Sequence, residues 1–318
     1  MKTPKHWQSN NLLSFLLAPA GFLYGVATVL RLKCKKGYKS SIPVICVGNI
    51  SAGGVGKTPV SIALAEILKA KGKNPFFISR GYGGSLSGVL INTKKHTPQE
   101  VGDEPLMLSA VAPTVICHNR GKAAQIAEAN GADILIMDDG FQNPSLQKDL
   151  SFLVFNGEIG IGNGKIIPAG PLRESFESGL KRADAVIFIG EDKQDLLKKI
   201  NKPVFKVEIK EETPLHKSEK ILAFAGIGYP QKFYHSLEKC GLKVAKSYDF
   251  PDHHFYTKDE LKTMIKKASK RNMPIYTTLK DFVKIPQNMQ KSFNVLNIKA
   301  TFENENAVID FINQKALH

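Results

Sequence analysis

No acidic residue occurs before Glu66. The first 40 positions carry Lys2, Lys5, Arg31, Lys33, Lys35, Lys36 and Lys39 with nothing to balance them. A segment of one sign favours an anionic partner: nucleic acid, acidic phospholipid or a phosphorylated substrate. Cysteine is scarce. Cys34, Cys46, Cys117 and Cys240 form no C-x-x-C pair and have no histidine-rich neighbourhood, which excludes a disulfide scaffold and a zinc module. They read as reduced, mostly buried thiols in the cytosol. Internal repeats, low-complexity linkers and recognised nucleic-acid motifs are absent, so the net charge of +15 is not read as a nucleic-acid footprint. The remaining composition, 42% hydrophobic and 23% charged over 318 residues, is globular and long enough for two domains.

One glycine is also missing. The stretch VGNISAGGVGKTP (47–59) ends like a phosphate-binding loop, but G-x-x-x-x-G-K-[ST] asks for glycine where this chain has Ser51. Gly53, Gly54 and Gly56 remain. They let backbone N–H groups turn inward around phosphate oxygens at the start of a helix. With Ser51, Ala52 and Val55 they make the candidate nucleotide cradle. Lys57 is placed to reach the β- and γ-phosphates, and Thr58 to ligate Mg²⁺. Ser51 replaces only the outermost glycine, where the need is for entry into the turn.

The context suits such a loop. IPVICVGNI (42–50) reads as a buried strand, and PVSIALAEILKAKG (59–72) as the helix after it. Further strands are expected at Phe76–Ser79 and within 113–122, 132–143, 150–156 and 183–190, with a helix over Lys122–Ala129. Alternation of this kind predicts an α/β fold: a P-loop NTPase-like, mostly parallel sheet with helices on both faces. After Gly190 the pattern changes. PVFKVEIK (203–210) and FNVLNIKAT (293–301) alternate and are expected to pair as an antiparallel ribbon. Between them lies a smaller C-terminal α/β domain, with strands at 221–230 and 273–281 and helices at 231–241 and 257–271. Thr257 with Glu260 makes a capping box for the last of these. The expected units are residues 1–36, 37–202 and 203–318.

Charge is missing again over residues 12–30, LLSFLLAPAGFLYGVATVL. The run is barely long enough to span a bilayer, which takes about 20 apolar residues. Pro19, Gly21 and Gly25 weaken it, and Ser14, Tyr24 and Thr28 dilute it. A signal peptide cut near Ala18-Pro19-Ala20 would export an ATP-type loop to where there is no ATP. A buried core helix also fits. The preferred reading is a helix lying in the interface of an anionic cytoplasmic membrane. The flanking cations then sit among headgroups, at about 1 kcal/mol each.

Several polar clusters carry possible chemistry. In ILIMDDG, Asp138 stands at the tip of a buried strand beside the loop, the usual place for an Mg²⁺-holding acid. Asp139 is a second candidate at the cation, and if the strand continues it points the other way and could anchor the groups behind the site or the Gln142 turn. In VGDEP, Asp103 and Glu104 suit helix capping or catalysis, since a kinase must deprotonate a hydroxyl. Glu104 is a further candidate for the cation. In DFPDHHFY, adjacent histidines rarely ligate one metal together, but His253 could hold a carboxylate such as Asp103; a plain surface loop also fits. Arg80, Arg120 and Arg173 lie at or near strand ends or in Gly/Pro loops, where guanidinium forks suit phosphate.

Taken in order, GNISAGGVGKTP, SRGYGG, GDEP, DDGFQ, PAGPLRE and FPDHH resemble the motif series of the tetraacyldisaccharide 4'-kinase (lipid A 4'-kinase) family, from about residue 44 to 284. In that family serine or threonine stands at the position of Ser51. The resemblance implies ATP and Mg²⁺ as cofactors, and a membrane-embedded disaccharide lipid, the lipid A precursor, as acceptor at its 4'-hydroxyl. It implies that Asp103 and His253 activate that hydroxyl and that the small domain closes over ATP. It places the protein at the cytoplasmic face of a bacterial inner membrane, on an anionic surface, as a monomer without nucleic acid. One departure stands out: the family's TEKD motif is Thr278-Leu279-Lys280-Asp281 here. The rival reading is a membrane-associated regulatory ATPase of the partition or septum-site type. Those proteins carry a distinguishing lysine where this chain has Ala52.

Overall fold

Aliphatic and β-branched runs, each ended by glycine or a polar residue, become strands that are buried on both faces. The computed structural model describes residues 4–34, 36–212 and 220–316; Lys2 and Lys35 lie outside the described residues. The strands are β1 Val44–Gly48, β2 Pro75–Ser79, β3 Val89–Leu90, β4 Thr114–Ile116, β5 Ile134–Asp138, β6 Leu150–Asn156 and β7 Ala185–Ile189. They continue with β8 Val204–Glu211, β9 Lys220–Ala225, β10 Lys243–Asp249, β11 Ile275–Thr278, β12 Asn294–Leu296 and β13 Ile298–Phe302. The larger sheet runs β13-β8-β7-β6-β1-β5-β2-β4-β3. It is parallel except at its margins, where β13 meets β8 and β3 meets β4 antiparallel. Its middle strands are buried along their whole length because both faces are covered. One face packs on helix Lys57–Ala70 through Val60, Leu64 and Leu68. The other packs on helix Arg120–Ala129 through Ala123, Ala124 and Ala127.

The order of strands reverses at β1, which lies between β5 and β6. Ligands of open α/β sheets bind beyond the carboxyl ends of strands at such a switch point. The 47–59 loop leaves β1 there, and Asp138 closes β5 at its side.

A second sheet, β10-β9-β11-β12, is parallel throughout. Its cores gather Leu222, Phe224, Leu261, Met264 and Phe293 on one side and Ile221, Ala223, Phe233 and Leu237 on the other. The ribbon pairs Ile298 with Glu211 through to Phe302 with Val207. The stretch 293–301 is not one strand, however. Asn294–Leu296 joins the small sheet and Ile298–Phe302 joins β8. β8 also pairs with β7, and the closing helix Glu305–Ala316 returns Val308, Ile309 and Ile312 to the core of the large sheet. The second unit is therefore an insertion whose two ends belong to the first, rather than a separate run from 203 to 318. Val283 of that unit packs against Ile91, Val101, Leu106 and Ile116 of the first.

Helices Leu12–Leu16 and Ala18–Cys34 are packed inside out. They bury Ser14, Gly21, Gly25 and Thr28 and expose Leu12, Phe15, Leu16, Phe22 and Leu23. A Cβ on Gly21 would come within 2.6 Å of the Ile166 carbonyl oxygen, so only glycine lets the helix lie this close to the 165–173 loop. Trp7 Nε1 donates to the Pro168 carbonyl at 3.0 Å, and Lys165 Nζ to Ser14 Oγ at 3.2 Å. The core-helix alternative for residues 12–30 does not hold, because the large side chains face outward. Among the described residues no helix is long and apolar enough to cross a membrane.

Candidate active site

The 47–59 loop shows why serine serves at position 51. The described non-glycine residues with positive φ are Asp139, Asp195, His253 and Asn272, so Ser51 needs no left-handed backbone. It is buried, bridges to Leu172, and its hydroxyl accepts from Asn49 Nδ2 at 3.2 Å. Ala52 N–H is tied to the Pro171 carbonyl at 2.7 Å. The positions that do need glycine are Gly53 (φ 127°) and Gly56 (φ 98°), the latter capping helix Lys57–Ala70. Gly53 and Gly54 border open space, so the loop presents bare backbone to a ligand.

Thr58 and Asp138 come together at the base of this loop. Thr58 Oγ1 donates to Asp138 Oδ2 at 3.3 Å, and Ser61 Oγ to Oδ1 at 2.7 Å. Ser61 was not anticipated; its signal is its place one helical turn after Thr58. Burial lifts the Asp138 carboxyl to about 6, with Glu104 and Asp139 adding to it and Ser61 and Lys57 opposing.

Asp139 does not continue the strand. Its φ of 49° turns the chain, and its carboxylate faces Lys57 Nζ at 3.5 Å and Arg173 Nη1 at 3.3 Å. These cations outweigh burial and hold its pKa low. Arg173 also donates to Gln142 Oε1, and Gln142 Nε2 donates to Glu174 Oε1 at 3.0 Å. Arg182 closes the frame by donating to Glu174 and to the Phe141 carbonyl. Arg120 is buried, not at the surface. Its Nη1 donates to the Cys117 carbonyl, and burial lowers it to about 10, helped by the charge of exposed Arg80.

The two units meet at Asp103. It opens helix Asp103–Ser109 and is 5% exposed. Asp103 Oδ2 lies 3.0 Å from His253 Nδ1, a contact between residues 150 apart in sequence. Lys284, also unanticipated, is fully buried with Nζ 2.7 Å from Asp281 and 4.0 Å from Asp103. Burial pushes the Asp103 carboxyl up, but the His253 hydrogen bond and the Lys280 and Lys284 charges leave it below the usual value. The same hydrogen bond raises His253 against burial and Lys280. Glu104, read as a cation ligand, faces Lys280 Nζ at 3.3 Å. Among the described residues no three His, Cys, Asp or Glu side chains converge as a metal cluster. Thr58 and Asp138 offer hard oxygen donors, which fit Mg²⁺ completed by phosphate and water oxygens. His254 turns away from this junction to Glu260.

The large unit thus supplies a phosphate cradle, a lysine, a hard-cation pair and a buried carboxylate, and Glu104, next to Asp103, lies near enough to Asp138 to raise its carboxyl. The family model described as LpxK, tetraacyldisaccharide-1-P 4'-kinase, matches residues 13–317. A tetraacyldisaccharide 4'-kinase of Paramagnetospirillum magneticum is 41% identical over 310 residues, covering 95% of each chain. That of Rhodospirillum rubrum is 40% identical over 312 residues, covering 95% of this chain and 94% of the relative. A crystal structure of LpxK from Aquifex aeolicus in complex with ATP is 28% identical. It superimposes with a TM-score of 0.79, covering 96% of this chain and 100% of the other. The chain belongs to the tetraacyldisaccharide 4'-kinase family.

Proposed function

We propose that Asp103, backed by His253, is the base that readies the acceptor hydroxyl in this enzyme. The chain is an ATP-dependent kinase that phosphorylates the 4'-hydroxyl of a tetraacyldisaccharide 1-phosphate in lipid A biosynthesis. The 4'-oxygen attacks the γ-phosphorus in line. A new P–O bond forms, the bond from γ-phosphorus to the β–γ bridging oxygen breaks, and ADP leaves. The hydroxyl proton passes to Asp103. The observation that carries this assignment is the 3.0 Å contact of His253 Nδ1 with Asp103 Oδ2 across the junction of the two units. It fixes Oδ2, while Oδ1 accepts from Glu104 N–H at 2.9 Å and keeps a second lone pair to take the substrate proton.

Backbone N–H groups of 53–58 bind the phosphates, and Lys57 exchanges Asp139 for phosphate oxygen when ATP enters. Thr58 and Asp138 would hold Mg²⁺, with Asp139 beside them; the ion would offset triphosphate charge. Glu104, engaged by Lys280, is left out of that set. Arg80, Arg120 and Arg173 supply cationic charge for substrate or nucleotide phosphate. The inserted small unit, which carries the β10-β9-β11-β12 sheet, closes over ATP against the large one. The outward apolar face of residues 12–30 lies in an anionic membrane surface on the cytoplasmic side, holding a monomer beside its lipid.

Asp103→Asn tests the base. Its kcat should fall by about 10²- to 10⁴-fold while ATP affinity is kept. Measured by label transfer from γ-phosphate to the disaccharide lipid, an unchanged kcat would overturn the assignment.

A further inference from the structure

Lys280 lies where the small unit meets Asp103, and its surroundings are specific. Its Nζ is 3.3 Å from Glu104 Oε1, 3.5 Å from Asp252 Oδ1 and 3.3 Å from His253 Nε2. An ammonium has three protons to donate and no lone pair. The contact with Nε2 is thus a hydrogen bond only when that nitrogen accepts. We propose that Lys280 is a positioning residue that sets the tautomer of His253, keeping Nε2 unprotonated and the ring proton on Nδ1.

The second contact of the ring agrees. With its proton on Nδ1, His253 donates to Asp103 Oδ2 at 3.0 Å, and both ring nitrogens are satisfied. The other tautomer would aim Nε2–H at the ammonium and the Nδ1 lone pair at a carboxylate, so both contacts would repel. A doubly protonated ring would keep the Asp103 bond and oppose Lys280. Around the ring stand Asp103, Lys280, the ring of Tyr82 at 5.4 Å and Asp252, whose Oδ1 is 3.8 Å from Nε2, beyond hydrogen-bond reach, and is itself engaged by Lys280 at 3.5 Å.

Both partners are held firmly enough for this. Lys280 sits in the short helix Leu279–Phe282, capped by the Thr278 side chain, and its own side chain is 18% exposed. The next residue, Asp281, is fully buried, accepts from Gly226 N and Thr278 Oγ1, and pairs with Lys284. Three carboxylates outweigh the effect of burial and keep Lys280 charged. His253 is fixed in a left-handed backbone conformation, φ 61°. Such strain in a non-glycine residue persists where surrounding contacts over-determine it.

The consequence for turnover rests on the dyad reading of Asp103 and His253; the tautomer itself does not. Histidine ¹⁵N labelling reads the tautomer directly, and His253→Gln identifies the signal. The wild-type ring should show Nδ1–H with an unprotonated Nε2; an Nε2–H ring would overturn the proposal. Lys280→Met should mix the tautomers and lower kcat about 10- to 100-fold, the range for partners that orient a working imidazole, with KM for ATP within about twofold. Lys280→Arg should recover most of the loss. In a His253→Gln background, Lys280→Met should cost less than about twofold further. A full loss in that background, or a rise in KM for ATP alone, would make Lys280 a phosphate contact instead. If His253→Gln itself left kcat unchanged, the dyad reading would fail while the spectrum still decided the tautomer. The wild-type spectrum decides it too should Lys280→Met fail to fold.

Discussion

At Gly56 the demand for glycine is steric and conformational together. A Cβ there would need φ near 98° and would sit 2.9 Å from Ile189 Cδ1. Gly56→Ala should therefore lower stability by about 1–3 kcal/mol, measured by urea unfolding; Ser51→Gly, at a position without positive φ, should cost no more than about 1 kcal/mol. The dyad makes a separate prediction. On the proposed dyad, turnover needs a neutral His253 beside an ionised Asp103. The Asp103 hydrogen bond, the largest influence on the ring, raises its pKa above the ordinary 6.5, whereas the Asp103 carboxyl lies below its ordinary 3.8. Activity should thus be present above the His253 pKa and be lost as pH falls through it. The acid limb of kcat/KM should lie above pH 6.5, and a limb near pH 4 would contradict this. Asp103, His253 and Lys57 were legible as residues because their motifs are. Ser61 and Lys284 were not, since a serine or lysine on a helix gives no local sign of which carboxylate it will meet.

Among the elements, helix Ala18–Cys34 shows most clearly how packing reverses a pattern. Its glycines face the 165–173 loop, which carries Arg173 toward Asp139. Gly21→Leu would force that loop away, since the obstacle is the Ile166 backbone. Overpacking of this kind should cost about 1–3 kcal/mol in a thermal melt and lower kcat, because the same loop holds Arg173. Strand β10 went unseen in the sequence because it is an edge strand with only Val244 and Tyr248 partly covered and Lys246 between them. The division of 293–301 was hidden for a different reason. Both halves alternate, and nothing local says that the chain changes sheets between Leu296 and Ile298.

For the whole molecule, the proposed membrane contact rests on the sign of the net charge and on the apolar side chains turned outward at residues 12–30. The net charge of +15 and the outward Leu12, Phe15, Leu16, Phe22 and Leu23 suit a headgroup layer better than water. Replacing Phe15, Phe22 and Leu23 by serine should abolish most flotation with anionic vesicles, each side chain contributing up to about 1.5–3 kcal/mol. Wild-type binding should weaken with salt as headgroup attraction is screened. Unchanged flotation of the triple variant would remove the membrane face. The sequence by itself determined the α/β class, the phosphate loop, the acids at the strand tip and the family, because each is written in contiguous residues whose backbone chemistry is local. The pairing of Asp103 with His253 was anticipated from the motifs; only the tertiary structure gave its geometry and decided that Glu104 goes to Lys280 and that Arg120 is buried. Such contacts join residues far apart in the chain, and packing of the inserted unit against the large sheet selects them.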